Sequence, residues 1–166
     1  MKGKKMPANQ KITPCLWFEG NAEEAMDFYF SIFEDGKILD VTRWGKGGMG
    51  QEGSVLVAKF QIAGQEYMAL NGGPEFKFTE AISLSIDCGS QDEVDALTEK
   101  LTADGGEIGP CGWVKDKFGL SWQVVPRILM QMIQDKDQDR ADRVMAALMQ
   151  MMKINIKQLE EAYNQV

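Results

Sequence analysis

Apolar and polar residues follow one succession of patterns along the first half of the chain. An apolar stretch rich in strand-forming residues covers 11–18, and helical spacing of apolar residues follows over 21–33. Three further strand candidates come next, at 37–44, 54–62 and 65–70. The last two are separated by Ala63-Gly64, a pair typical of a tight turn. This succession predicts a βαβββ unit.

A similar succession follows in the second half. Residues 81–87 alternate strictly between apolar and polar, 90–106 have helical spacing, and 107–126 contain a strand pair. This predicts βαββ, with the third strand either absent or merged with another. The two halves can be aligned as a repeat. In the first strands Leu16 matches Leu84 at an offset of 68 residues, and in the last strands GQEYMAL matches GLSWQVV at an offset of 55. Identity is low, so the predicted repeat is structural.

Polar residues mark the helix starts. Asn21 with Glu24, and Ser90 with Glu93, have the spacing of capping boxes. Beyond Pro126, residues 127–166 predict a C-terminal helical extension that contains six of the eleven methionines up to position 152. Its apolar positions at helical spacing are Ala141, Val144, Met145, Leu148 and Met152, and Asn155 with Gln158 fits a further capping box. This face favours a core or a subunit interface over a promiscuous binding surface.

Charge and composition narrow the class of partner. The net charge of −7 argues against nucleic acid, which is held by surplus Lys and Arg. The basic residues near the start lie in 1–10, which we predict to be a disordered tail. No apolar run is long enough for a bilayer, and no signal peptide is recognised. Three widely spaced cysteines favour reduced thiols and a cytoplasmic setting.

The sequence contains no histidine. This excludes histidine acid–base catalysis, Ser-His and Cys-His nucleophile pairs, and metal sites that need imidazole. Any chemistry has to use carboxylates, thiols, amides, lysine or tyrosine.

Five segments carry a resemblance to a known family: FEGNAEEAMDFYFSIF, EAISLSIDC, the start of the helix at SQDEVD, CGWVKDKFGLSWQVVP, and DRVMAALMQMMKINIKQLEEAY. They resemble the PhnB-like group of the vicinal-oxygen-chelate superfamily, which includes glyoxalase I and bleomycin-resistance proteins. The resemblance implies an α+β fold of paired βαβββ modules over 11–126, here 11–74 and 80–126, and a homodimer. The group is often labelled 3-demethylubiquinone-9 3-methyltransferase, but no glycine-rich strand-to-helix loop typical of an S-adenosylmethionine site is present.

The resemblance also implies where a metal would bind. Enzymes of the superfamily hold a divalent ion with a first-strand His and a last-strand Glu from each module. The matching positions here are Thr13 and Met68 in the first module, and Ala81 and Gln123 in the second. This set is not suited to a hard divalent ion, and nearby Glu80 alone would not suffice. We expect no metal and no cofactor.

Alternation in the strands places candidate ligand-binding residues on the concave face of each sheet. Leu16, Phe18, Ile82, Leu84 and Ile86 are expected to face the helices. The opposite face would then carry Thr13, Cys15, Trp17, Met68, Ser83, Ser85 and Gln123, with Trp113 or Trp122 nearby. These residues suit a planar, mostly apolar small molecule, or they fill the space between strands. The cysteines are expected to be buried and inert, and Asp116 is expected to organise a turn.

Two functions remain open at this point. The first is metal-independent binding of a small, partly aromatic molecule in the cup of the sheets. The second is an enzyme of the same superfamily, of lyase, isomerase or transferase type, acting on a small metabolite through a carboxylate or a weakly held metal. A third possibility is an interaction module that works through its methionine-rich helices.

Overall fold

The computed structural model describes residues 10–165 of the chain, which divides into two compact units between Lys77 and Phe78. Each unit contains a four-stranded sheet and a helix that follows its first strand. The predicted α+β class with tandem glyoxalase-like modules and a C-terminal helical part is therefore confirmed. Of the predicted tail, residues 1–9 lie outside the described part, and the side chain of Gln10 bonds to the backbone of Glu66.

The first unit has the predicted βαβββ order. Its elements are β1 (Cys15–Phe18), α1 (Ala22–Ile32), β2 (Lys37–Arg43), β3 (Val55–Ile62) and β4 (Gln65–Asn71). The strands lie in the order β1-β4-β3-β2, with β1 parallel to β4 and the other pairs antiparallel. A parallel pair needs a crossover connection, which α1 and the two following strands provide.

One face of this sheet is buried against α1. Leu16 and Phe18 are 7% and 3% exposed, as the alternation predicts. Tyr29 of α1 stacks on Phe60 of β3 with 6.4 Å between ring centroids, and Phe60 stacks on Tyr67 at 5.4 Å. Aromatic burial on this side leaves the alternate residues of every strand on the opposite face.

The cap of α1 differs from the prediction. The side chain of Asn21 makes no capping hydrogen bond, so the Asn21 and Glu24 box is wrong. Instead Oδ1 of Asn71, at the end of β4, accepts a 3.0 Å hydrogen bond from the backbone N–H of Ala22. The amide of Asn71 also donates to the carbonyl of Val55 at 3.0 Å. A long-range contact therefore replaces the local one.

The second unit completes the repeat with four strands. Its elements are β5 (Leu84–Cys88), α2 (Gln91–Leu101), β6 (Glu107–Ile108), β7 (Trp113–Lys115) and β8 (Ser121–Pro126), in the sheet order β5-β8-β7-β6. The missing third strand is β6, which has only two residues and is separated from β7 by a turn at 110–112. The prediction of βαββ is therefore wrong in this detail.

Two boundaries of the second unit also differ from the prediction. The first strand starts at Leu84, so Ala81 and Ile82 precede it, and Ile82 is 65% exposed instead of facing the helix. The helix ends at Leu101, since Asp104 (φ 57°) and Gly105 (φ 107°) adopt the left-handed conformation that terminates helices. The Ser90 cap is confirmed, because its side chain accepts from the N–H of Glu93 at 3.2 Å.

The C-terminal extension folds into α3 (Arg127–Ile133), α4 (Gln138–Leu148) and α5 (Ile156–Asn164). Asn155 caps α5 by accepting from the N–H of Gln158 at 3.0 Å, as predicted. The apolar residues of the extension form their own buried cluster, which is made of Leu129, Met132, Val144, Leu148, Met151, Ile154 and Leu159. Met145 and Met152, which were predicted for the apolar face, are 40% and 51% exposed. Within residues 10–165, every helix is too short or too polar to cross a membrane.

Candidate functional site

The sheet register shows which predicted residues share a face in the first unit. Cys15 lies beside Met68, Met68 beside Lys59, and Lys59 beside Asp40, which gives one row across all four strands. Trp17 lies in the next row, beside Leu70. Thr13 precedes β1, is half-buried and lies outside the paired positions of the sheet. This face carries charged residues that the alternation of β1 and β4 alone did not reveal.

The indole of Trp17 is engaged within its own unit. Its Nε1–H donates to the carbonyl of Gly73 at 2.8 Å, and its ring meets Phe76 edge-on with centroids 4.9 Å apart. A side chain at Gly72 would collide with this indole. Trp17 is thus a packed anchor for the loop after β4, and its polar atom is already satisfied.

In the second unit the register joins three of the predicted residues. Ser85 lies beside Gln123, and Gln123 lies beside Trp113. The amide of Gln123 donates to the hydroxyl of Ser83 at 2.9 Å. The next row contains Ser121, Lys115 and Glu107. Trp122 and Val124, on the other face, are 2% and 0% exposed, as predicted for residues that face the helix.

A pocket of about 390 Å³ opens beside these rows, and its walls are mostly apolar. It is lined by Glu80, Glu107, Ile108, Gly109, Pro110, Trp113, Val114, Lys115 and Ser121. Of the predicted site residues only Trp113 lines it. Lys115 and Ser121 were missed, although both follow from alternation, since they lie two residues from Trp113 and Gln123.

Lys115 lies between two carboxylates at this pocket. Its Nζ is 3.0 Å from Glu80 and 3.6 Å from Glu107, and its side chain is the least exposed of the three. The hydrogen bond from Lys115 lowers the pKa of Glu80. The same bond, together with the charges of Glu107 and Glu80, raises the pKa of Lys115. The raised pKa keeps the amine of Lys115 protonated, so it is unsuited to act as a nucleophile.

A second pocket, of about 380 Å³, lies on the corresponding face of the first unit. It is lined by Leu39, Asp40, Thr42, Val57, Lys59, Glu66 and Met68. It has no aromatic wall and a larger polar share, so it is less suited to a planar apolar ligand. Met68 is the only predicted site residue in it.

The register also corrects the offset of the predicted repeat. Leu16 lies beside Ala69, whereas its match Leu84 lies beside Trp122. The predicted offsets of 68 and 55 therefore disagree with the observed pairing by two residues. If the first-strand offset of 68 is kept, the counterpart of Met68 is Ser121. The aligned rows then place Lys59 with Asp40 and Lys115 with Glu107 at equivalent positions.

The donor set does not fit a divalent metal at the superfamily's position. Thr13 and Met68 offer a hydroxyl and a thioether, Ala81 offers no donor, and the amide of Gln123 is bonded to Ser83. Within residues 10–165, no group of three or more His, Cys, Asp or Glu side chains lies close enough to hold an ion. These positions therefore do not supply the ligands that chemistry at a divalent ion would need.

The three thiols differ in environment. Cys15 is exposed, contrary to the prediction, and partial burial still raises its pKa. Cys88 is buried, and desolvation together with the charges of Glu93 and Asp87 raises its pKa to about 12. These shifts act against thiolate formation, so neither Cys15 nor Cys88 is an activated nucleophile.

Asp116 organises the β7–β8 turn as predicted: it accepts from the N–H of Leu120 at 3.0 Å and from the indole of Trp122 at 2.9 Å.

Comparison with known proteins places this geometry in a family. The family model described as 3-demethylubiquinone-9 3-methyltransferase matches residues 10–125. The PhnB protein from Bacillus cereus is 40% identical over 70% of this chain and 99% of its own, with a TM-score of 0.62. Protein PA1353 from Pseudomonas aeruginosa is 23% identical over 71% of this chain and 98% of its own, with a TM-score of 0.56.

A more distant structure shows the fold alone. A point mutant of the fosfomycin resistance protein FosX from Listeria monocytogenes, in complex with Mn(II) and 1S,2S-dihydroxypropylphosphonic acid, is 18% identical over 70% of this chain and 90% of its own, with a TM-score of 0.51. No functionally curated protein matches the chain. The paired modules and the matches over residues 10–125 show that the chain belongs to the PhnB-like family, described as 3-demethylubiquinone-9 3-methyltransferase, of the vicinal-oxygen-chelate superfamily.

Proposed function

We propose that this protein binds a small, planar and partly aromatic molecule without a metal, in the pocket beside Trp113. The observation that carries this proposal is the apolar wall of Trp113, Ile108 and Pro110 next to a charged rim. A volume of about 390 Å³ lies within the range of pockets that hold small ligands. Trp113 is half-buried, so part of its ring is available for stacking.

The rim favours one charge class of ligand. Lys115 is already neutralised by Glu80, while Glu107 is held at a longer distance and is 71% exposed. Glu107 can therefore turn toward a ligand at little cost. Because the rim carries one net negative charge, it favours neutral or cationic molecules over anions.

The family description does not supply a reaction for this pocket. A methyltransferase needs a site for its methyl donor, and the sequence has no glycine-rich strand-to-helix loop of the kind that binds S-adenosylmethionine. The superfamily resemblance favours a homodimer. The three free thiols favour the reducing environment of the cytoplasm. In this setting the protein sequesters its ligand in a stoichiometric complex.

Calorimetric titration with three probes of similar shape tests the proposal: quinoline, the N-methylquinolinium cation and the quinoline-2-carboxylate anion. We expect the neutral and cationic probes to bind more tightly than the anion, and EDTA to leave their affinities unchanged. Trp113→Ala should weaken binding by about tenfold, the value of one aromatic contact. Trp44→Ala is the matched control, since Trp44 lies in the other unit.

Three outcomes would overturn the proposal. The first is that no probe binds, and the second is that the two tryptophan variants weaken binding equally. The third is that affinity disappears with EDTA and returns with a divalent ion, which would favour a metal-dependent enzyme of the same superfamily.

A further inference from the structure

We infer that the C-terminal extension acts as a positioning element for the ligand pocket, by fixing the turn that forms its apolar wall. This inference rests on the proposed function, because it concerns the same pocket. The turn at 110–112 connects β6 to β7. It contains Pro110 and ends directly before Trp113, and both residues line the pocket. Its conformation therefore decides where Pro110 and Trp113, two apolar residues of the wall, lie.

The turn has two local backbone hydrogen bonds, from the N–H of Trp113 to the carbonyl of Pro110 and from the N–H of Gly109 to the carbonyl of Trp113 at 2.8 Å, but neither involves the N–H of Cys111 or Gly112. Cys111 has φ 57° and Gly112 has φ 80°, so two consecutive residues adopt the left-handed conformation. This arrangement is unfavourable for a residue with a side chain, such as Cys111, unless neighbouring contacts impose it. β6 has only two residues, which gives the turn a weak anchor on one side.

The extension supplies the contacts. The N–H of Cys111 donates to the carbonyl of Met151 at 2.8 Å, and the N–H of Gly112 donates to the carbonyl of Met152 at 2.7 Å. Both carbonyls lie in the segment between α4 and α5. Two consecutive amides of the pocket turn are thus satisfied by the extension.

Packing matches this hydrogen bonding. A Cβ added to Gly112 would lie 2.7 Å from Cδ1 of Ile154 and 2.8 Å from the carbonyl oxygen of Val124. Ile154 is fully buried, so it is fixed against the turn. Only glycine allows both the backbone angle and this close approach.

The same segment of the extension is also tied to α2. Gln91 donates to the carbonyl of Ile154 at 3.1 Å and accepts from the N–H of Ile156 at 2.8 Å. Lys153 pairs with Asp95 at 2.6 Å. The segment is therefore held between α2 and the pocket turn, and it can transmit the rigidity of the helix to the wall.

The extension lies beyond the segment that matches the family model. The family model ends at residue 125, before α3 begins at Arg127. The PhnB protein from Bacillus cereus is covered over 99% of its length by 70% of this chain. The positioning of the pocket wall by the extension therefore goes beyond the modules that this chain shares with that protein.

A pair of truncations in the extension separates positioning from general stability. Ile154→Ala removes the contact with Gly112, whereas Leu159→Ala makes a similar cavity in the same buried cluster. Ile154→Val removes Cδ1 alone and replaces Ile154→Ala if that variant does not fold. All variants are made in the full chain. Quinoline affinity is measured well below the unfolding temperature, and hydrogen exchange is measured at Cys111 and Gly112 without ligand.

We expect the Ile154 variant to weaken quinoline binding by about fivefold, because the loosened wall must be ordered on binding. It should also accelerate exchange at both amides by about tenfold or more. Leu159→Ala should lower the unfolding temperature as much as the Ile154 variant does, but its quinoline affinity should stay within about twofold of that of the wild type.

The results distinguish this inference from the proposed function. If quinoline binds and Trp113→Ala weakens it, but the Ile154 and Leu159 variants behave alike in affinity and exchange, only the positioning role is wrong. If quinoline does not bind but exchange increases only in the Ile154 variant, the proposed ligand is wrong while the extension still fixes the turn. Equal exchange in both variants and no binding would overturn both.

Discussion

Cys15, Cys88 and Cys111 show how burial separates side chains of one chemical type. Cys15 lies on the face of β1 that turns away from α1 and is exposed, while Cys88 lies at the end of β5 with 1% exposure. Cys111 is half-buried, and its thiol points to the carbonyl of Leu148 at 3.6 Å. The sequence-based prediction treats all three alike, because the spacing of thiols carries no information on their burial.

These environments predict different reactivities toward a disulfide reagent. At pH 8 in the native protein, Cys15 should react first and Cys111 more slowly, since a smaller part of it is exposed. Cys88, whose pKa is raised to about 12, should react only after unfolding. Ellman's reagent should therefore report two thiols in native protein and three in urea. Cys88→Ser should leave the native count at two, and a native count of three in the wild type would contradict the assignment.

The start of α1 depends on a residue far away in the sequence. Asn71 accepts from the N–H of Ala22 and donates to Val55, so it links the helix to β4 and β3. Asn71→Ala should reduce the free energy of unfolding by about 1 kcal/mol, the usual value of a lost helix cap. Asn21→Ala, at the position that the sequence favoured, should change it by less than about 0.5 kcal/mol. Urea unfolding followed by fluorescence measures both, and equal losses would show that the local cap also contributes.

The elements that were predicted well are those whose signal is local. The hairpin at Ala63-Gly64 has φ 48° and 75°, the left-handed pair that such a turn requires, and Ser90 forms its cap within one helical turn. The two-residue strand β6 gives no periodic signal, because alternation needs about four residues to be recognised. Its existence depends on pairing with β7, which is a tertiary contact.

The candidate site was predicted in part for the same reason. Alternation correctly grouped Ser85 and Gln123 on one face, and Trp113 joins them through the pairing of β7 with β8. It did not reveal Lys115 between Glu80 and Glu107, because those carboxylates come from a loop and from an edge strand. Which charged side chains meet depends on register, and the register was wrong by two residues.

The extension and the modules differ in what holds them together. The modules are held by sheet pairing and by one helix packed on each sheet. The extension is held by its own apolar cluster and by the backbone hydrogen bonds of Cys111 and Gly112. In the positioning role inferred above, the extension would change the rigidity of the pocket without adding residues to its lining, since all of the lining residues belong to the part of the chain before Arg127.

The charge composition of the chain predicts its response to pH. With no histidine, no side chain has an unperturbed pKa between 5 and 8. The pKa values of Asp35, Glu80, Asp95 and Asp135 are all lowered, for Asp35 mainly by the N–H of Gly64 and for the others by hydrogen bonds from Lys115, Lys153 and Tyr163. A carboxylate with a lowered pKa in the folded state stabilises the protein above its unfolded pKa of about 4, and this stabilisation is lost as pH falls through the folded value.

At basic pH the stability changes in the opposite direction: it decreases as the pH rises. The raised pKa of Cys88 means that its neutral form is favoured in the folded state, so stability is fully present below the unfolded thiol pKa of about 8.5 and is lost above it. The urea midpoint should therefore be constant between about pH 5 and 8, decrease below about pH 4 and decrease again above about pH 9. Asp35→Asn should flatten part of the acidic decrease, because it removes one of the four carboxylates. A step in the midpoint between pH 6 and 7.5 would contradict this account, because none of the shifts described above moves a pKa into that range.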